Sequence, residues 1–193
     1  MLLLKQMKKI AIFASGAGSN AQKIVEYFRN NSSTSVSLIV CNNPQAAVLK
    51  IAEKENISFI LIEKERFFRG DAYVSELKNA GIDFMVLAGF LWKLPSGLIK
   101  AFQQRIVNIH PALLPKYGGK GMYGHHVHQS VIDNKEKESG ISIHYVDELY
   151  DHGKIIFQAK CPVLPDDTVE SLAQRIHQLE HKHYPRIIES LLK

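Results

Sequence analysis

Asn108 and His110 stand two residues apart in Asn108-Ile109-His110-Pro111, and Asp151 closes a later segment, Tyr150-Asp151-His152-Gly153. On a strand, alternate side chains point to one face, so this amide and imidazole can converge on one reacting atom. Pro111 and Pro115 exclude a helix there and give the strand a rigid exit. An amide and an imidazole can stabilise a developing oxyanion, while a carboxylate beside the imidazole manages protons. Such a carboxylate also raises the histidine's pKa and favours the imidazolium. The three residues together suit acyl transfer. A lone histidine in an apolar run reads first as a core residue satisfied by backbone. Asn108 two positions before it and the two prolines after it turn the reading towards a reacting pair.

A second candidate is Gly16-Ala17-Gly18-Ser19-Asn20, which follows the apolar run Lys9–Ser15 and precedes a helical pattern with Ile24, Val25 and Phe28 on one face. Strand, glycine loop and helix make an anion site, because the helix N-terminus presents free N–H groups and the positive end of its dipole. Ser19 is the expected N-cap, and Gly18 lets the backbone approach an anion. The dinucleotide fingerprint is incomplete, with Lys23 where a third glycine is wanted. A tight turn that binds nothing remains the alternative from this loop alone.

The segments between these residues alternate. Strands are predicted at Lys9–Ser15, Val36–Cys41, Ile57–Ile62, Asp83–Ala88 and Arg105–Ile109. Helices are predicted at Ala21–Asn30, Gln45–Glu55, Asp71–Ala80 (N-capped by Asp71) and Pro95–Gln104. Glu63–Gly70 reads as a charged loop with Phe67 and Phe68 on the core edge. This pattern predicts an α/β fold, a doubly wound and mostly parallel sheet with helices on both faces. Gly140–Val146 and Lys154–Val163 read as an antiparallel pair after the helix Val127–Asn134 and the solvated turn Lys135–Glu138. Thr168 caps a long final helix, with a break expected near Pro185. Ligands of such sheets lie beyond the carboxyl ends of the strands. Phe90, Leu91 and Trp92 are therefore placed either to line a slot for a flat ring or to pack in the core. Lys116–Gly124 is glycine-rich, and is expected to be exposed and mobile. His125, His126 and His128 follow without a carboxylate or cysteine at a recognisable metal-ligand spacing.

Bulk properties narrow the class. The chain has 193 residues, 46% of them hydrophobic and 22% charged, enough to build one core without staples. Residues 7–193 are expected to form a single domain, with residues 1–6 as a disordered extension before a second start at Met7. The two cysteines, Cys41 and Cys161, fit a reduced, cytoplasmic protein. The net charge of +5 suits an anionic small substrate as well as nucleic acid. No apolar run approaches the length of a membrane span.

Asn108-x-His110-Pro-x-Leu-Leu-Pro115 and the downstream Gly140-x-Ser142-x-His144-x-Val146…Asp151-x-Gly153 resemble the paired signature of the folate-dependent formyltransferases. The likeness takes in the glycine loop and the C-terminal helix, and so nearly the whole chain. In length and layout it is most like the compact members that formylate glycinamide ribonucleotide. The resemblance implies 10-formyltetrahydrofolate as formyl donor, no metal, small-molecule substrates, no nucleic acid or membrane partner, and a monomer or homodimer. It implies Asn108, His110 and Asp151 as catalytic residues. Gly18, Ser19 and Asn20 would hold the substrate phosphate, with His177 facing it and Glu180 meeting the ribose. Phe90, Leu91, Trp92 and Leu94, with Val146, Asp147, Glu148 and Asp151, would border the folate. Ala17 and Trp92 depart from the asparagine and arginine common in the family, the glycine loop is longer than in many relatives, and His126 matches a histidine near their active sites. The expected chain layout disfavours a methionyl-tRNA formyltransferase, which adds a C-terminal domain. It also disfavours a formyltetrahydrofolate hydrolase, which usually adds an N-terminal one, though a standalone hydrolase stays open. A non-catalytic nucleotide-binding module is the rival from another class.

Overall fold

The computed structural model describes residues 6–69 and 71–193. The expected extension falls outside these residues except for Gln6, and so does Gly70 at the end of the expected charged loop. Seven strands, β1 (Lys8–Ala14), β2 (Thr34–Cys41), β3 (Ser58–Leu61), β4 (Phe84–Leu87), β5 (Ile106–His110), β6 (Glu138–Tyr145) and β7 (Ile155–Pro162), form one sheet in the order β3-β2-β1-β4-β5-β6-β7. β1 to β5 are parallel, and β6 and β7 run antiparallel to their neighbours. The mostly parallel, doubly wound reading holds. The helices are α1 (Ser19–Phe28), α2 (Val48–Lys54), α3 (Lys64–Phe67), α4 (Val74–Asn79), α5 (Ser96–Ala101), α6 (His125–Asp133) and α7 (Val169–Leu192).

The strand period of two builds both faces. On β1, Ile10, Ile12 and Ala14 enter the core layer that holds Ile24, Val48, Val131, Ile176 and Tyr184. Ala11 and Phe13 enter the opposite layer, with Phe67, Leu77, Leu98 and Phe102. A strand buried on both faces has to be apolar throughout, which is why β1 and β4 read as continuous hydrophobic runs. Burying each large side chain contributes about 1.5–3 kcal/mol. Among the described residues, no helix is long and apolar enough to cross a membrane.

Several boundaries differ from expectation. Asp71 does not cap α4. Its carbonyl accepts from Val74 N in a preceding turn, and the helix starts after Tyr73. The charged loop contains the one-turn helix α3, which buries Phe67 and leaves Phe68 exposed. Ser19 is not the cap of α1, since the cap position is Gly18 in the left-handed region (φ 77°) and no side chain caps the helix. A Cβ on Gly18 would lie 2.8 Å from the Val48 Cβ, so packing of the loop against α2, as well as backbone conformation, demands glycine there.

Thr168 does cap α7, through a reciprocal capping box with Ser171. The break expected at Pro185 is absent, and α7 runs unbroken to Leu192. Pro185 lies on the helix's buried stripe between Tyr184 and Ile188, and the burial of that stripe offsets the hydrogen bond that proline removes. The Tyr184 hydroxyl donates to Leu87 O at 2.9 Å, with Val107 O as a second acceptor at 3.2 Å. This pins α7 to the end of β4 and the start of β5. Tyr184→Phe leaves those acceptors short of a donor, and is expected to lower the unfolding free energy by about 1–3 kcal/mol in urea titrations.

Candidate active site

The site begins with a register. In the antiparallel β5–β6 pair, Asn108 lies opposite His144, and His110 opposite Ser142. Cross-strand partners share a face, so the alternating side chains of both strands project to one side of the sheet. Ser142 Oγ donates to Ala112 O and accepts from Leu114 N and from Gln158 Nε2. This buried network fixes the chain that leaves β5, and with it the backbone just beyond His110.

Asp151 joins the two strands. Its Oδ1 accepts from Asn108 Nδ2 at 3.3 Å and lies 3.6 Å from His144 Nε2. Its Oδ2 accepts from Gly119 N at 3.0 Å and lies 3.6 Å from His110 Nδ1. Asn108 Nδ2 is also 3.2 Å from His144 Nε2, while His144 Nδ1 donates to Tyr145 O. Burial pushes the Asp151 carboxyl upwards, but the nearby His144 and His110 rings and the Gly119 N–H together outweigh it and hold the group below the usual aspartate value.

His110 corrects an expectation. Burial pulls its pKa below the ordinary value, and the opposing effects of Asp151 and of the Tyr117 carbonyl do not restore it. His110 Nε2 donates to Tyr117 O at 2.7 Å, so the neutral ring has its lone pair on Nδ1, facing Asp151. The ring is therefore neutral at pH 7 in the empty site, with Nδ1 placed to accept a proton. The carboxylate raises the histidine's pKa as expected, but desolvation wins.

These residues line a cavity of ≈ 560 Å³ beyond the carboxyl ends of β1, β4 and β5. Gly18, Ser19 and Asn20 border it, as do His177 and Glu180 from α7. Asn20 Nδ2 donates to Glu180 Oε2 at 2.9 Å, and burial raises the Glu180 carboxyl above its ordinary value. Phe90, Leu91, Trp92, Leu94, Val146 and Asp147 also line the cavity. The core reading of Phe90 and Trp92 is true as well. Phe90 packs edge-on to Phe13, and Trp92 rests on Phe67 and Phe68. Glu148 alone of the sequence-derived candidates stands apart, in a neighbouring depression with Lys100 and Lys154. Among the described residues, no group of three or more His, Cys, Asp or Glu is placed to hold a metal ion.

The glycine-rich segment is tied to the site rather than free of it. Tyr117 O and Gly119 N contact His110 and Asp151, and Lys116 Nζ and the Tyr117 hydroxyl both donate to Glu136. Gly119 to Gly124 then form one wall of the cavity.

The family model described as formyl transferase matches residues 8–188. The chain belongs to the formyl transferase family. It is 38% identical over 191 residues to the phosphoribosylglycinamide formyltransferase of Bacillus subtilis, covering 96% of this chain and 95% of that protein. It is 40% identical to the chloroplastic phosphoribosylglycinamide formyltransferase of Arabidopsis thaliana, covering 95% of this chain and 65% of the plant protein. The chain thus spans just under two thirds of that relative's length. Among solved formyl transferase structures, glycinamide ribonucleotide transformylase 1 from Geobacillus kaustophilus superposes with a TM-score of 0.87 at 37% identity, covering 97% of this chain and all of that one.

Sequence reasoning quoted His144 within the signature and weighed His128 only as a metal ligand, and it gave neither histidine, nor the Tyr117 carbonyl, a part in the site. His144 had a signal, its place two residues after Ser142 on a strand predicted to end near Asp151. The Tyr117 carbonyl had none, because backbone acceptors leave no mark in residue type. Removing the Asp151 charge takes away the main influence raising His110. Asp151→Asn is therefore expected to lower the His110 titration further, as followed by the imidazole resonances in an NMR pH series. An unchanged or raised midpoint would contradict the pairing.

Proposed function

We propose that this chain transfers the formyl group of 10-formyltetrahydrofolate to the primary amine of glycinamide ribonucleotide. The observation that carries the reading is the convergence of Asn108, His110 and Asp151 in one cavity with the uncapped N-terminus of α1. A phosphate on Gly18, Ser19 and Asn20 meets the helix dipole and N–H groups not capped by a side chain. His177 faces that phosphate and Glu180 meets the ribose. The folate lies along Phe90, Leu91, Trp92, Leu94, Val146 and Asp147, with Asp151 at its reacting end. Glu148 has no part in this wall.

The neutral amine attacks the formyl carbon, and the carbonyl electrons move to oxygen. The Asn108 amide, already oriented by His144 and Asp151, donates to that oxyanion. The amine nitrogen becomes cationic on bond formation and loses a proton to neutral His110, directly or through water. Asp151 stabilises the resulting imidazolium. The adduct collapses by breaking the bond to the folate nitrogen, which receives the proton from His110. Protons balance, and no metal is required. The family relationship and the near full-length match to the Bacillus protein support the choice of acceptor. The two buried free cysteines support a cytoplasmic setting. Substrates are small molecules, without nucleic acid or membrane, on a monomer or homodimer.

The test is a formyl-transfer assay with the purified chain, following folate product with and without the amine. Amine-dependent turnover is expected. Folate deformylation that ignores the amine would instead indicate the hydrolase, and nucleotide binding without turnover would indicate the binding module. Asn108→Ala and His110→Ala should each lower kcat on the order of 10²-fold or more. Because His110 acts neutral, kcat/KM should lose its activity only below the ordinary histidine pKa, with a plateau at pH 7. A rate that instead declines as pH rises through 7 would refute that protonation state.

A further inference from the structure

Lysine and arginine are scarce around the cavity. Among the described residues, Lys93 and Lys120 alone of these types line it. Lys120 stands on the glycine-rich wall. Lys93 belongs to the aromatic wall itself, between Trp92 and the buried Leu94. Other cations near that wall are committed elsewhere. Arg66, beside the Phe67 that supports Trp92, pairs with Glu76 and lies over the Tyr73 ring. Lys100 and Lys154 lie in the neighbouring depression with Glu148.

Lys93 is exposed, and its Nζ lies 5.8 Å over the ring of Tyr150, on the loop that carries Asp151. Leu91 on the first segment, and Leu149 and Tyr150 on the second, are exposed as well. The contact therefore joins two lips of the cavity where it opens to solvent. The carboxylates of the facing loop turn to histidines instead, Asp147 to His152 at 3.5 Å and Asp151 to His110 and His144 at 3.6 Å. An exposed contact between a lysine and a ring is weak. A carboxylate that accepts charge-assisted hydrogen bonds is a better partner for the ammonium.

The formyl donor joins a pterin, an aminobenzoyl ring and a glutamate with two carboxylates. The two ring systems are flat and suit the aromatic wall. The carboxylates are costly to bury without partners, so the glutamate has to lie where the cavity opens. On the aromatic side of that opening the available cation is Lys93. We propose that Lys93 leaves the Tyr150 ring and pairs with a carboxylate of the folate's glutamate, so that this chain selects folates that carry one. The assignment deepens the folate reading above and rests on it. Lys93 is a specificity residue at the rim and takes no part in the chemical step.

The test is a binding titration on the full chain. Trp92 is its only tryptophan and lines the same wall, so its fluorescence follows folate binding without turnover. The probes are tetrahydrofolate and tetrahydropteroate, which differ by the glutamate alone. The wild-type chain should bind tetrahydrofolate about two- to fivefold more tightly, the scale of an exposed ion pair. That preference should shrink at high salt. Lys93→Gln should abolish it by weakening tetrahydrofolate and not tetrahydropteroate, Lys93→Arg should keep it, and Lys120→Gln should leave it unchanged. Equal losses for both ligands in Lys93→Gln, a preference that survives that substitution, or one that disappears with Lys120→Gln would overturn the assignment and leave the folate reading in place. Binding of neither ligand would overturn the folate reading and this inference with it.

Discussion

A carboxylate removed from water has to be matched by donors, and the site is built around matching Asp151. Its side chain is only 10% exposed. Asn108 Nδ2 and Gly119 N donate to it, and the His110 and His144 rings approach it at 3.6 Å, so that three separate parts of the chain meet there. Delivering the carboxylate requires an unusual backbone. Asp151 lies in the left-handed region (φ 53°), which aspartate tolerates better than most residues. Two residues on, a Cβ at Gly153 would fall 1.8 Å from Tyr145 O, so only glycine lets the loop return so closely onto β6. The carboxylate and the glycine after it thus form one device, a sharp return that pushes a charge into a dry pocket already furnished with donors.

That device works because the sheet changes direction beside it. β1 to β5 are parallel and open their carboxyl ends to the cavity, where the chain order also reverses between β1 and β4. β6 then runs antiparallel to β5, so that its last residues come back beside the start of β5 while Ser142 and His144 face His110 and Asn108. An all-parallel sheet would bring only strand ends to the cavity. The antiparallel partner adds side chains from mid-strand, and these orient an amide and a ring that strand ends alone would leave loose. Ser15 at the end of β1 ties the other side, its hydroxyl accepting from Leu91 N. The aromatic wall and the glycine loop that follows Ser15 are thereby tied together.

The fold was legible because strands buried on both faces have to be apolar, and β1 from Ile10, β2 from Leu38 and all of β4 are. Helix ends were less legible. Asp71 and Ser19 have the right residue types for caps, yet tertiary packing sets both starts, by Tyr73 in one case and by the approach of Gly18 to Val48 in the other. Pro185 misled for the same reason, since a local rule about hydrogen bonds competes with the burial of a whole helix face. Of the candidate site, the spacing of Asn108 and His110 was readable from strand periodicity, and the place of the glycine loop on the cavity from its position between strand and helix. Glu148 was drawn in by adjacency to Asp147, but successive residues leave a loop in different directions. His144, though quoted in the signature, drew no role because a histidine's worth depends on what surrounds it, and its neighbours are distant in sequence.

The charge state of His110 shows the same limit in energetic form. From sequence, a carboxylate beside a histidine argues for an imidazolium. In three dimensions the ring is nearly closed from solvent, and the cost of burying its charge exceeds the attraction of an anion 3.6 Å away. That balance favours the proposed chemistry. An imidazolium formed too early would have no lone pair for the amine's proton, whereas a neutral ring held by Tyr117 O on one side leaves its other nitrogen free for one. The carboxylate then gains importance only once that proton arrives, when the charge pair it forms is complete. In the proposed reaction Asp151 is thus matched to a transient state more than to the resting site, which is the arrangement that would lower a barrier instead of merely stabilising the fold.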